Sequence, residues 1–237
     1  MLEKLNNLNN IYLGMYRYAP YDESIHLIID IETAGTKVYS KEEYIVFSIG
    51  CSVWVPNEYG ILKIDDELKF YEVINREDSK RLGFKEDPAI MDWWIRKTSE
   101  EVKNSTLKGG KPVKDVLESF IDFLFSIVNK YPKKTNYVWG NAPEFDISYI
   151  YKYFKRLYNI GYLFPFWITR DVRTLNNQVF IEKEKLFEIY NDKNMVHNAY
   201  YDTISEGKII SEVITNAILG NKLLEEKLNN IEKETNN

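Results

Sequence analysis

The sequence predicts an α/β fold in which helices pack on both faces of a mixed β-sheet. Three stretches rich in branched and aromatic residues fall within the first 73 residues, and each has the length of a strand. A later stretch has the three- and four-residue apolar spacing of an amphipathic helix. Helix and strand patterns alternate from there on, which is typical of a sheet covered by helices.

The predicted strands are apolar runs bounded by turn residues. His26–Ile31 (HLIIDI) is short and rich in branched residues, as expected of a buried strand. Ile45–Val55 is the second strand, and Tyr137–Gly140 is a short later one. Gly60–Val73 is also predicted as a strand, with a possible interruption at Asp65-Asp66.

The clearest predicted helix is Pro112–Lys130, because its apolar residues form a single stripe. An earlier helix is expected to begin with Asp87 as N-cap and Pro88 in its first turn, and to end near Thr98. Both the cap residue and the proline are favoured at helix starts.

Three more helices are predicted in the second half of the chain. Asn141 is the expected cap of the first, with Glu144 completing a capping box, and this helix runs to about Tyr158. Arg170–Gln178 is a predicted short helical segment, and Ala199–Leu219 is a predicted long final helix.

The chain is expected to form a single domain, residues 1–237, because it contains neither an internal repeat nor a linker rich in glycine, serine or proline. Its 44% hydrophobic content is enough for a sizeable core. We expect that core to span about residues 25–220. Residues 1–20 form a mixed lead-in, and the polar tail at about 222–237 is expected to fray.

Charge and cysteine content exclude several classes of protein. With 31 basic and 36 acidic residues the net charge is −5, so the protein does not coat a duplex through bulk positive charge. The single cysteine, Cys51, excludes an internal disulfide and a four-cysteine zinc site. The start lacks a secretory signal pattern and no apolar run is long enough to span a bilayer. These features predict a cytoplasmic protein without a membrane partner.

Two carboxylates mark the end of the first predicted strand. Asp30 and Glu32 stand two positions apart, so their side chains leave the same face of the strand. Burying two unpaired acids is costly, and a divalent cation would relieve that cost because hard cations take oxygen ligands. The simpler interpretation is a polar strand end entering a turn.

The two later motifs are weaker when taken singly. Asp146 falls in the first turns of a predicted helix, where an exposed aspartate is favoured by the helix dipole. His197 precedes the last helix and Asp202 lies in its first turns, but this spacing is common by chance. A neutral histidine at the mouth of a site can accept a proton from water. The other histidine, His26, opens the first strand and is interpreted as structural.

Taken together, the order D-x-E, N-x-x-x-F-D and H-x4-D resembles the DEDDh family of 3′-5′ exonucleases, which share a ribonuclease-H-like fold. The resemblance covers roughly residues 25–219. The segments VWGNAPEFD, PFWITRDVRT and HNAYYD are similar to exonuclease A of tailed bacteriophages and to the mycobacterial RNase AS group, and so is DPAIMDWWIRKTSEE. The resemblance therefore implies a bacteriophage-type exonuclease acting on 3′ ends.

The family resemblance implies a two-metal mechanism. Asp30, Glu32 and Asp202 would hold one Mg²⁺ or Mn²⁺, and Asp30 with Asp146 would hold or orient the second. Two such ions roughly 3.5–4 Å apart stabilise the attacking and leaving oxygens of an in-line displacement. His197 would deprotonate the attacking water, and a nucleoside 5′-monophosphate would be released.

Contacts to the nucleic acid are expected from residues around this centre. By resemblance, Thr33 and Ala34 lie against the 3′-terminal nucleotide, and Phe145 stacks on a terminal base; the alternatives are an ordinary turn and a core phenylalanine. One of Trp93 and Trp94 is expected in the core and the other beside the substrate. A sixth candidate contact is Arg173, which could clamp a phosphate or form a surface ion pair.

The predicted activity is removal of nucleoside 5′-monophosphates from single-stranded DNA 3′ ends, with RNA 3′ ends as the alternative substrate. A non-catalytic nucleic-acid-binding module on the same fold is the alternative of another class, but the complete set of acids argues against it. An endonuclease would cut circular substrates. Relatives are often homodimers, so a homodimer is a further expectation.

Overall fold

The computed structural model describes residues 1–37, 42–176 and 195–235, and these contain a sheet of five strands. The strands are β1 (Ile25–Thr33), β2 (Val46–Pro56), β3 (Leu62–Val73), β4 (Asn136–Gly140) and β5 (Thr169–Asp171). Their order across the sheet is β3-β2-β1-β4-β5. The first three strands pair antiparallel, whereas β4 pairs parallel with β1 and with β5. The predicted mixed sheet is therefore confirmed.

The helices of the described residues are α1 (Leu2–Leu13), α2 (Arg76–Arg81), α3 (Pro88–Lys97), α4 (Glu100–Thr106), α5 (Val113–Lys130), α6 (Pro143–Tyr158), α7 (Val172–Asn176) and α8 (Ala199–Thr235). None of these helices is both apolar enough and long enough to cross a membrane.

Helices cover both faces of the sheet, as predicted. Gly50 and Cys51 are neighbours in β2, so they face opposite sides. On the Gly50 side lies α8, whose backbone at Ala199 approaches so closely that a Cβ on Gly50 would lie 2.3 Å from it. On the Cys51 side, Phe70 of the adjacent strand packs against Phe120 of α5 with ring centroids 5.1 Å apart.

Helix α3 begins as its sequence predicts. Asp87 is the N-cap, and its carboxylate accepts a hydrogen bond of 2.9 Å from the backbone N–H of Ala89. The predicted Asn141 cap is wrong. Helix α6 starts at Pro143 with Ala142 as its N-cap residue and no side-chain cap bond. Proline favours the first helical position because it has no N–H to leave unpaired, and this moves the helix start one residue along.

One further boundary differs from prediction, and one predicted irregularity is confirmed. Arg170 lies in strand β5 and not in a helix, because Thr169–Asp171 pairs with β4 before helix α7 begins. The predicted segment's end, Gln178, lies outside the described residues. The interruption predicted at Asp65-Asp66 is confirmed as a break in pairing: β3 continues through both residues, but its register with β2 shifts between Ile64 and Lys69, which pair with Trp54 and Ser52.

Helices extend beyond the expected core in both directions along the chain. Residues of the lead-in form α1, in which Leu5, Leu8 and Tyr12 are fully buried. Their spacing of three and four residues is the stripe of an amphipathic helix, although the surrounding asparagines weaken the pattern. The final helix α8 continues to Thr235, past its predicted end at Leu219, and the fraying expected from about residue 222 stays a prediction.

Replacement of Gly50 by alanine tests the close packing of α8 on the sheet. The new methyl group would overlap the backbone of Ala199, so we expect the free energy of unfolding to fall by about 1–3 kcal/mol in urea denaturation. Gly220→Ala is the control. Gly220 lies on α8 itself, and a Cβ added there would have no neighbouring atom within 4 Å. It should stabilise by up to about 1 kcal/mol. Equal effects of the two substitutions would contradict the close approach.

Candidate active site

The central strand β1 carries two of the predicted acids at its carboxyl end. Asp30 pairs with Gly50 across the antiparallel ladder, and Glu32 pairs with Ser48. Residues that pair directly share a face, so both carboxylates point to the face on which α8 lies. Glu32 is 9% exposed, and one carboxylate oxygen of Asp30 is wholly buried. A polar strand end in an open turn is therefore not what forms here.

Helix α6 brings the third acid to the same edge of the sheet. Because β4 runs parallel to β1, their carboxyl ends meet, and the chain turns from Gly140 directly into α6. Asp146 is only 3% exposed, so it is not an exposed helix-start aspartate. A Cβ at Gly140 would lie 2.9 Å from the Oδ2 of Asp146, and the bare glycine backbone leaves room for this carboxylate.

The loop before α8 and its first turn supply the histidine and the fourth acid. The backbone N–H of His197 donates a hydrogen bond of 3.1 Å to the Oδ2 of Asp202. His197 has φ of 69°, a left-handed conformation that turns the chain into the helix. One ligand atom each of Glu32, His197 and Asp202 lies within 4.8 Å of the others. The structure thus brings the predicted histidine and acids together.

The electrostatics of this cluster are those of crowded buried acids. Burial raises the pKa of Asp146 to about 8 and that of Asp202 to about 7. Burial, followed by the negative charges of neighbouring carboxylates, also holds the pKa values of Asp30 and Glu32 well above the usual range. The pKa of His197 is lowered by burial, so its ring is neutral near pH 7.

The carboxylates fit a divalent cation. The Oδ2 atoms of Asp30 and Asp146 are buried and have no hydrogen-bond partner. Among the described residues, no ion pair includes any of the four acids of the cluster, Asp30, Glu32, Asp146 and Asp202. Unpaired carboxylate oxygens are the ligands that Mg²⁺ and Mn²⁺ prefer, and a bound cation would offset both the desolvation and the mutual repulsion.

A fifth acid near the cluster was not singled out from the sequence. Glu206 lies on α8 one helical turn after Asp202 and is 7% exposed. Its Oε2 is buried without a partner, and burial, followed by the charges of Asp146, Asp202 and Asp171, raises its pKa well above the usual range. The signal available in the sequence was the D-x-x-x-E spacing, which places both acids on one helix face.

The two adjacent tryptophans separate into a core residue and a surface residue, as expected. Trp94 is 2% exposed, and its indole N–H donates a hydrogen bond of 3.0 Å to the carbonyl oxygen of Thr33. Trp93 is 37% exposed, and its ring centroid lies 4.9 Å from that of His197 in an edge-to-face arrangement. Trp93 is therefore the one that borders the candidate centre.

The strand-end segment offers little free surface to a ligand. Ala34 is fully buried, its N–H donates to the carbonyl of Ile45, and its own carbonyl accepts from the N–H of Asp87. Thr33 is 6% exposed, and its hydroxyl donates to the carbonyl of Gly35 at 2.7 Å. Their side chains support the strand end, and the backbone groups of Ala34 and the carbonyl of Thr33 are also engaged within the protein. The nucleotide contacts expected of these two residues stay a prediction.

Phe145 and Arg173 lie beside Asp146 in more open positions. Phe145 is half-buried and packs on Tyr149 with ring centroids 4.9 Å apart. Arg173 is exposed, 3.6 Å from Glu144 and 3.3 Å from Asp171, so it forms the surface ion pairs that were its alternative role.

The second histidine lies in the interior, away from the acids. The indole N–H of Trp139 donates to Nδ1 of His26 at 2.9 Å, which leaves Nε2 to donate to the carbonyl of Tyr21 at 2.8 Å. Burial lowers the pKa of His26 to about 4. Both ring nitrogens are therefore engaged in the neutral form, as expected of a structural histidine.

Comparison with known families gives one match that spans most of the chain. The sequence model of the family described as the 3′-5′ exoribonuclease Rv2179c-like domain matches residues 25–214. Those residues include every strand and all the acids of the cluster. No curated protein matches the sequence at a significant level.

Several solved structures share the fold. Cell-death related nuclease 4 (CRN-4) gives a TM-score of 0.54 at 16% identity, over 84% of this chain and 66% of that one. The zinc-bound complex of E. coli exonuclease I with single-stranded DNA gives 0.56 at 16%, over 82% and 41%. A 3′-exonuclease that recognises the histone mRNA stem-loop gives 0.51 at 13%, over 91% and 72%. The chain thus spans 66% and 41% of the first two structures. The likeness confirms the predicted ribonuclease-H-like fold.

Substitution of Asp146 by asparagine tests the electrostatics of the acids without metal. In the folded wild type this carboxyl has a pKa of about 8, above its unfolded value, so it contributes stability at low pH that is lost as the pH rises toward 8. Asparagine does not titrate. In chelator, the stability of Asp146→Asn relative to wild type should therefore increase by at least roughly 1 kcal/mol between about pH 5 and pH 8.5.

Urea denaturation at several pH values measures this difference. Asp92→Asn, at an exposed acid on α3 that pairs with Arg96, is the control and should show no comparable increase with pH. A difference between Asp146→Asn and wild type that stays constant or shrinks with rising pH would contradict the raised pKa.

Proposed function

The chain belongs to the Rv2179c-like 3′-5′ exoribonuclease domain family, and from this premise we propose that it is a metal-dependent 3′-5′ exonuclease of single-stranded nucleic acid. One observation carries the proposal: Asp30 and Asp146 have buried carboxylate oxygens without partners. They belong to the same acidic cluster as Glu32 and Asp202, whose ligand atoms lie within 4.8 Å of a ring nitrogen of the neutral His197. Such a cluster is unfavourable without a cation and suited to phosphodiester hydrolysis with one.

The proposed ligands fall into two overlapping sets. Asp30, Glu32 and Asp202 would hold one Mg²⁺ or Mn²⁺, and Asp30 with Asp146 would hold or orient the second. The proximity of the ligand atoms of Glu32 and Asp202 supports the first set, and the unpaired Oδ2 atoms support the second. When bound, two cations would supply the positive charge that this acidic cluster needs in order to accept a phosphodiester.

His197 is the proposed general base. Its lowered pKa keeps a ring nitrogen free to take a proton near pH 7. The hydrogen bond from its backbone to Asp202 and the contact with Trp93 hold the residue at the edge of the acids. Water would lose its proton to His197 and attack phosphorus. The bond to the 3′ oxygen of the penultimate nucleotide would break, and that oxygen would take a proton from solvent.

The proposed polymer is RNA, because the matching family is described as an exoribonuclease. Single-stranded DNA was the substrate expected from the sequence, and E. coli exonuclease I, a structural relative, is seen in complex with it. The 2′-hydroxyl distinguishes the two polymers. A direct comparison of rates on the two polymers decides between them.

The bases at the 3′ end would meet aromatic rings on either side of the acids. Trp93 presents an exposed ring next to His197, and Phe145 presents part of its ring next to Asp146. Stacking on such rings is worth roughly 1–3 kcal/mol per base and does not depend strongly on base identity. Arg173 could approach a phosphate after exchanging its present acidic partners.

Matched oligonucleotides labelled at the 3′ or the 5′ end test the activity and its polarity. With Mg²⁺ or Mn²⁺, wild type should release labelled mononucleotide at once from the 3′-labelled strand and give stepwise shortening of the 5′-labelled one. His197→Ala should lower the rate by roughly 10²–10⁴-fold, because the proton acceptor is lost. RNA should be degraded faster than DNA of the same sequence.

Lys227→Ala, at an exposed position far along α8, is the control for that variant and should retain full activity. Activity that survives chelator, or His197→Ala at the wild-type rate, would contradict the mechanism. Tight binding of oligonucleotides without turnover would instead favour the non-catalytic module, and cleavage of circular strands would indicate an endonuclease.

Trp93→Ala tests the stacking role. We expect KM for short oligonucleotides to rise by roughly 5–150-fold, since a stacking contact worth roughly 1–3 kcal/mol is lost. Ile95→Ala is a suitable control, because Ile95 is 61% exposed on the same helix and residues two positions apart on a helix do not share a face. An unchanged KM in Trp93→Ala would exclude stacking at this position.

A further inference from the structure

We propose that Glu206 is a fifth carboxylate of the metal centre and that it holds a divalent cation together with Asp30 and Asp146. This inference rests on the proposed metal dependence and adds a ligand that neither the sequence motifs nor the family resemblance includes. The motifs supply only Asp30 and Asp146 for the second cation, and Glu206 would be its third carboxylate ligand.

Helix geometry directs Glu206 toward the acids. It follows Asp202 by four residues on α8, so the two side chains lie on the same face one turn apart. The next residue, Gly207, lies so close to the ring of Trp54 that a Cβ there would overlap it. The helix is therefore packed tightly on the sheet at this turn, and Glu206 beside it is only 7% exposed.

An unpaired oxygen on Glu206 is the observation that points to a ligand. Its Oε2 is buried and has no hydrogen-bond partner. The same is true of the Oδ2 atoms of Asp30 and Asp146. The charge of Glu206 acts on Asp30, and the charges of Asp146 and Asp202 act on Glu206, so these groups are electrostatic neighbours. Three elements of the fold thus each contribute one buried and unpaired carboxylate oxygen, the kind of donor that a hard cation takes.

The nearby polar groups of the protein are already engaged. The indole N–H of Trp54 donates to the hydroxyl of Ser52 at 3.1 Å, and that hydroxyl donates to the carbonyl of Thr203 at 3.2 Å. Arg173 pairs with Asp171 and Glu144. Among the described residues, no ion pair includes Glu206, so a cation from solution is the partner that remains.

A ligand role gives Glu206 opposite effects with and without metal. A bound cation is held more tightly when a third carboxylate contributes charge and an oxygen. Without a cation, the same carboxylate adds repulsion to a buried acidic cluster and destabilises the fold. Glutamine has the same shape without the charge, so Glu206→Gln separates the two effects.

Calorimetric titration with MnCl2 and with MgCl2, together with melting temperatures in chelator at about pH 8, tests the proposal. Glu206→Gln should weaken cation binding by roughly 10–100-fold. It should also melt at a higher temperature than wild type in chelator. Glu225→Gln, an exposed acid on the same helix, is the matched control and should match wild type in both. Glu206→Asp, which keeps the charge but withdraws it by one methylene, should bind with intermediate affinity.

The outcomes separate this inference from the proposed function. If Asp146→Asn loses affinity while Glu206→Gln and Glu206→Asp bind as wild type does, Glu206 is not a ligand, and the metal-dependent exonuclease stands. If wild type itself binds neither cation, both proposals fail. If Glu206→Gln melts lower than wild type in chelator and binds cations normally, Glu206 has a packing role only, and the inference is overturned.

Discussion

The structure depends on one unfavourable feature, the burial of several like charges at the carboxyl end of a central strand. Asp30 and Asp146 each keep a buried oxygen without a partner, and the pKa values of all the clustered acids are raised. A fold does not retain such a cluster for stability, since apolar residues in its place would stabilise the fold more. Repulsion among the buried carboxylates destabilises the metal-free protein. The same negative charge would bind the cations that phosphodiester hydrolysis needs. Stability and function are thus coupled at one place.

The fold brings these acids together through strand order and close backbone approach. The parallel pairing of β1 with β4 aligns their carboxyl ends, so the strand acids meet the acid of the helix that follows β4. Gly50 lets α8 approach the sheet opposite Asp30, and Gly140 leaves room for the carboxylate of Asp146. A histidine in a left-handed turn completes the edge. Each of these features is local, but only the assembled sheet gives them a common site.

Much of this arrangement could be predicted from sequence, because strong local patterns coincide with it. The strand at His26–Ile31, the helix after Asp87 and the motifs of the acids all appear where the pattern indicates. The failures arise where tertiary contacts decide. Helix α1 is stabilised by burial of Leu5 and its neighbours, which asparagine-rich local sequence conceals. The burial of Glu206 depends on how tightly α8 packs on the sheet, and one chain segment cannot show that.

The most direct test of a cation-dependent acidic centre is the melting temperature of the wild-type protein near pH 8 as Mn²⁺ is titrated from chelator. A ligand that binds only the folded state stabilises it by RT ln(1 + [L]/Kd), about 2.7 kcal/mol at a hundredfold excess over Kd. Specific binding therefore predicts a rise of several degrees that saturates and is reversed by chelator. A melting temperature that is unchanged, or that rises equally with NaCl of the same ionic strength, would contradict it.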